Sequence, residues 1–186
     1  MTALNLRRRG WRLALTTGLL GLTLWAGTAH ATYPNCRGAD LIQSATKTFV
    51  AASHSHDPTA FAKAISRYVD VNALALFALG PFRAELPPDR KTEYFAKTRA
   101  FMARFLADHA ESFANSTLQI QSCDDGEIRT VGGGQKLVWR ISGNRVRDVQ
   151  VDGVWLVNEM RSKFISVIRE GHGDIERLFE FLDRNS

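Results

Sequence analysis

Much of what would mark a catalyst is missing from these 186 residues. There is no G-x-S-x-G elbow, no H-E-x-x-H pair and no Cys-His nucleophile arrangement, which excludes the acyl-transfer and metalloprotease patterns those motifs carry. His54-Ser55-His56-Asp57 has metal-ligand residue types, but no second ligand pair accompanies it, and a solvated loop accounts for it. Gly132-Gly133-Gly134 is followed by neither Lys-Ser/Thr nor a helix, so it reads as a hairpin turn and not as a phosphate cradle. His172 lies between glycines that helix stop and start signals already explain. Internal repeats and low-complexity linkers are absent as well. These absences predict a protein that is not an enzyme and holds no metal or cofactor.

Charge of one sign is also scarcer than it looks. The chain carries 24 Lys and Arg against 19 Asp and Glu, a net of +5. Four of the basic residues, Arg7, Arg8, Arg9 and Arg12, precede the apolar run Leu13 to Trp25 and the small-residue site Ala29-His30-Ala31. That order is a secretory signal peptide, residues 1–31, with the mature chain starting at Thr32. The apolar run is shorter than the roughly 20 residues that a membrane span needs. Without the leader the balance is 20 against 19, which gives no support to nucleic-acid binding. The remaining 155 residues, 32–186, suffice for one domain with one core.

Only two cysteines are present, Cys36 and Cys123. In an exported chain a lone pair predicts a disulfide, here tying the start of the mature chain to the first strand.

The apolar residues give the fold class. Leu41, Ala45, Phe49 and Ala52 recur at helical spacing, and Asp57-Pro58 caps a second helix with Phe61, Ile65, Tyr68 and Val69 on one stripe. A short third helix over 70–79 ends at Gly80-Pro81. Leu86-Pro87-Pro88-Asp89 opens the longest helix, whose stripe runs Tyr94, Phe95, Thr98, Phe101, Met102, Phe105, Leu106, His109 and Phe113. After Asn115 the period changes to two. Leu118 and Ile120, then Leu137, Trp139 and Ile141, then Val149 and Val151 mark half-buried strands. Val154 to Val157 is apolar on both faces and predicts a strand covered on both sides. Phe164, Ile165 and Ile168 restore helical spacing up to Gly171, and Asp174 caps a last helix bearing Ile175, Leu178, Phe179 and Leu182. The fold class is α+β: N-terminal helices and two C-terminal helices packed on a curved antiparallel sheet. Such layers commonly enclose an apolar cavity. Its expected walls are Trp139, Val149, Val151, Val154 and Leu156 on the sheet side, facing Val71, Leu74, Phe82, Phe101, Phe105, Phe164 and Ile168. An enzyme using this space would need a buried carboxylate or histidine, and the pattern offers only Asp148 and His109. A structural adaptor with a filled core is the other alternative.

Several stretches carry a family resemblance. Trp139-Arg140-Ile141, Val146 to Val154, Arg161-Ser162-Lys163-Phe164, Ile168, Gly171, Leu178 and Leu182 resemble the MlaC-type, or toluene-tolerance, family of periplasmic phospholipid-binding proteins. Upstream, Val69-Asp70-Val71, Leu79-Gly80, Phe82-Arg83 and a proline-led long helix with Tyr94-Phe95 and Phe105 are similar too, so the likeness runs from about Leu41 to Leu182. Trp155 departs from the family, which usually has serine there, and Arg90 stands where glutamine is common. The resemblance implies a monomeric periplasmic carrier of phospholipid, with no nucleic-acid partner. It would exchange lipid with an inner-membrane ABC lipid-transport complex and an outer-membrane lipoprotein complex. A similar branch associated with hopanoid biosynthesis makes a hopanoid or related polycyclic lipid the alternative cargo. Asp70 and Arg83 match family positions and are expected at helix ends or in ion pairs.

Overall fold

The computed structural model describes residues 36–186 apart from 113, 116 and 125. The expected leader, its cleavage site and Phe113 lie outside the described residues. Four helices come first: α1 (Ala39–Ser53), α2 (Pro58–Tyr68), α3 (Val71–Ala78) and α4 (Lys91–Asp108). Five strands follow, β1 (Gln119–Asp124), β2 (Glu127–Gly132), β3 (Gln135–Ser142), β4 (Arg145–Val151) and β5 (Val154–Trp155), and then α5 (Leu156–Glu170) and α6 (Glu176–Arg184). Among the described residues no helix is long and apolar enough to cross a membrane.

The helix starts are set by local chemistry. The Asp57 carboxylate accepts from the Thr59 amide at 2.8 Å with Pro58 at the first helical position, which satisfies a donor the helix cannot. Asp70 does the same for α3, accepting from Ala73 N at 3.1 Å, and its other oxygen pairs with Arg147 on β4 at 3.2 Å. Its own amide donates to the Val146 carbonyl at 2.9 Å, so the α2–α3 joint is stitched to the sheet. The helix-end and ion-pair roles therefore meet at Asp70, whereas Arg83 is exposed at the end of a 3-10 turn and has no ion pair among the described residues.

The sheet is an open antiparallel meander in the order β1-β2-β3-β4-β5. Directly opposite residues share a face, and the register lays out two inner rows. One is Cys123, Ile128, Trp139 and Val149; the other is Ile120, Thr130, Leu137, Val151 and Val154. Helix α1 covers the first row. Leu41, Ile42 and Ala45 pack with Tyr68, Ile128 and Val146, and Trp139, Ile141 and Val149 lie against them. Two features fix α1 there. Cys36 is bonded to Cys123 on β1, and Gly38 starts α1 at φ 98°, where a Cβ would stand 2.7 Å from Ile141 Cδ1. Only glycine fits both demands.

A second cluster joins Phe61 and Ile65 of α2 to Val71, Ala103 and Ala107. A third joins α3, α4, α5 and α6 through Ala75, Leu79, Tyr94, Phe164, Ile168 and Leu178. Tyr94 is buried and its hydroxyl donates to the Ala75 carbonyl at 2.8 Å. Arg90 with Glu176 and Lys97 with Asp183 clamp α6 to the α4 side, and the Arg90 guanidinium lies 3.7 Å from the Phe179 ring centre.

Two sequence expectations need correction. The long helix stops at Asp108, because His109 turns its Nδ1 to the Phe105 carbonyl at 2.8 Å and a 3-10 turn, Ala110–Ser112, follows. Its buried stripe includes Ala103 and Ala107, whose small side chains let α2 approach, while Phe105 is 49% exposed. The strand expected over Val154–Val157 ends at Trp155, and it is not covered on both sides. The Val157 amide is taken by the Asp148 carboxylate at 3.1 Å, so the chain turns into α5 at Leu156.

Candidate functional site

Of the twelve residues expected to wall one cavity, seven are divided among the three packed clusters and five lie outside them. Phe164 and Ile168 are fully buried in the α3–α6 cluster, with Phe82 and Phe101 against it. The Phe101 ring sits 5.7 Å from Phe164 and 5.6 Å from Phe181. Val71 belongs to the α2–α4 cluster. Trp139 and Val149 lie beneath α1, where the Trp139 Nε1 donates to the Thr130 hydroxyl at 2.9 Å.

Four of the other five are less enclosed. Val151 is half-buried, Val154 is 47% exposed, Leu156 is 42% exposed, and none of them belongs to the three packed clusters. Phe105 stands apart from those clusters too, its ring 4.3 Å from that of His109. Leu74 is buried on α3. Leu137, which the sequence places on the same strand face but not among the cavity walls, is opposite Val151, and Val151 is opposite Val154. This gives an apolar row across three strands that α1 does not cover. Its signal in the sequence is the alternation Leu137, Trp139, Ile141. Among the described residues, shallow open depressions lie elsewhere, of about 400 Å³ along α5 and of about 480 Å³ across α2 and α4.

The end of this row is held by a polar corner. Asp148 is buried, and its Oδ1 accepts from Val149 N at 2.8 Å and from Val157 N at 3.1 Å. Oδ2 is buried without a hydrogen-bond partner. Burial pushes the carboxyl above its ordinary value of 3.8, while the two amides and the nearby Arg140 pull the other way. The Arg140 guanidinium lies 3.7 Å from the Trp155 ring centre, and its Nε donates to Glu127 at 3.0 Å. Trp155 is thus stacked against Arg140, while Val154 and Leu156 are 47% and 42% exposed.

His54, Ser55, His56 and Asp57 form an exposed turn, and among the described residues no group of three or more His, Cys, Asp or Glu could hold a metal.

Fold and row together define an α+β domain with an open sheet, one inner row packed under α1 and a second, partly buried apolar row, Leu137, Val151 and Val154, outside the packed clusters. One solved structure with this fold is described as the phospholipid-binding protein from Ralstonia solanacearum in complex with a phospholipid. It has a TM-score of 0.65 and 19% sequence identity, over 78% of this chain and 94% of that one. At that identity the likeness establishes the fold alone. No curated protein matches this chain. The family model for the MlaC protein matches residues 42–184, and the chain belongs to the MlaC family.

Proposed function

We propose that this protein is a periplasmic carrier that shelters the acyl tails of a phospholipid against the uncovered end of its sheet. One observation carries the reading: Leu137, Val151 and Val154 form a continuous apolar row outside the packed clusters, in a member of the MlaC family. Phe105 and Leu156 supply further bare apolar surface. The fold neighbour described as phospholipid-bound supports a phospholipid as the guest.

The energetics call for such a cover. Each methylene in water costs about 0.8 kcal/mol, so a lipid with roughly 30 of them faces on the order of 20 kcal/mol unsheltered. Tails must therefore be covered, whereas a polar headgroup can stay in solvent. In this reading the protein works as a monomer and performs no chemistry. Asp148 commits Oδ1 to the Val149 and Val157 amides and His109 is exposed on the Phe105 carbonyl, so the two are not joined as an acid and base. The disulfide fits an exported protein. Donor and acceptor would be an inner-membrane ABC lipid-transport complex and an outer-membrane lipoprotein complex.

Native mass spectrometry of the protein purified from its periplasm, with organic extraction, tests this. A stoichiometric phospholipid is the expected result. A hopanoid would change the cargo and keep the carrier. A bare protein mass that persists after incubation with lipid vesicles overturns the proposal in favour of a structural adaptor.

A further inference from the structure

The helical layer carries a second feature on the side formed by α2 and α4. A shallow, largely open depression of about 480 Å³ there is lined by Thr59, Ala62, Lys63, Ser66, Arg67 and Arg99, with Lys63 and Arg67 exposed. Three cations from two helices thus border one shallow depression. Among the described residues none of the three has a carboxylate within ion-pair distance, whereas Arg90, Lys97, Arg104 and Arg147 are each paired. Arg99 is half-buried. Arg67 rests 5.4 Å from the Tyr68 ring centre. A fourth guanidinium reaches the same end of α2, since Arg145 Nη1 donates to the Ser66 carbonyl at 2.6 Å.

The α2 macrodipole explains part of this. Arg67 and Arg145 sit at its C-terminus, where cations are favoured. Lys63 lies in the middle of α2 and Arg99 belongs to another helix, so neither is accounted for that way. Asp57, at the start of α2, is held below 3.8 chiefly by its bonds to Thr59, and Lys63 is the least of the influences on it. Like charges gathered around one space repel, and an anion seated among them reverses the sign of that interaction. Guanidinium forks with an ammonium point charge match the oxygens of a phosphate group.

We propose that the α2–α4 hollow binds a phosphate group through Lys63, Arg67 and Arg99, carried either by a soluble phosphate ester or by a lipid headgroup. The site is separate from the apolar row and does not depend on the carrier reading. Two probes applied to the mature protein as purified test it. Inorganic phosphate is titrated into isotope-labelled protein while the backbone amides are followed by NMR, with chloride at matched ionic strength as control. Flotation then compares vesicles of phosphatidylcholine with and without phosphatidylglycerol.

Saturable shifts at Ala62, Lys63, Ser66 and Arg99 are expected, weakened on the order of tenfold for each cation removed in Arg99→Gln and in the combined Lys63→Gln, Arg67→Gln, Arg99→Gln variant. If anionic vesicles bind the wild type and not the combined variant, the phosphate belongs to a headgroup. If only inorganic phosphate discriminates between the two proteins, it belongs to a soluble ester. A response to neither probe, an equal response to chloride, or a combined variant that behaves as the wild type with both probes overturns the site. The lipid content of the same samples reports on the carrier proposal separately, because all three substitutions lie outside the apolar row.

Discussion

Asp148 shows how one side chain decides a local structure. Its Oδ1 serves two amides, and one of them, Val157 N, is the donor that would otherwise prolong β5. The unpartnered Oδ2 makes the ionised form costly in this buried position. Because the folded-state pKa lies above 3.8, the native state binds the proton more tightly than the unfolded chain does. This group's contribution to stability is therefore largest at low pH and declines as pH rises from 3.8 through the folded value. In Asp148→Asn the amide oxygen can keep both bonds and no charge is buried. Urea unfolding across a pH series should show the variant gaining on the wild type as pH rises above 3.8. A difference that moves the other way would show that the amides and Arg140 outweigh burial.

At the scale of elements, the β5–α5 corner separates what can be altered from what cannot. Val149 lies against the α1 cluster, where a larger side chain would overpack, at about 1–3 kcal/mol. Val154 is 47% exposed on the uncovered row. Val154→Trp should leave stability within about 0.5 kcal/mol, yet lower the lipid that co-purifies. Full lipid content in a stably folded Val154→Trp protein would detach the row from cargo. The same corner marks the limit of what the sequence discloses. Caps at Asp57 and Asp70 are legible because donor and acceptor lie within three residues of each other. The strand at Val154–Val157 is misread because its end is decided by Asp148, nine residues before Val157. Alternation puts Leu137 and Trp139 on one face, but which of them a helix covers depends on where α1 rests. That position is set by Gly38 and the disulfide against residues far along the chain.

For the whole molecule, the Cys36–Cys123 bond spans 87 residues and closes the helical half onto the first strand. A loop of that length corresponds to on the order of 4–5 kcal/mol in the chain-entropy model. Reduced protein, or Cys36→Ser with Cys123→Ser, should unfold at a markedly lower urea concentration; an unchanged midpoint would mean that α1 is held by packing alone. The Trp155 stack has an optical consequence. Of the four tryptophans, Trp11 and Trp25 fall in the expected leader, so the mature chain would fluoresce from Trp139 and Trp155 alone. One indole lies under α1 and the other is pressed against a guanidinium beside the bare row. In the proposed carrier, with Trp139 replaced by phenylalanine, the emission colour of Trp155 would become a clock for loading and unloading, readable in the unlabelled protein as it happens.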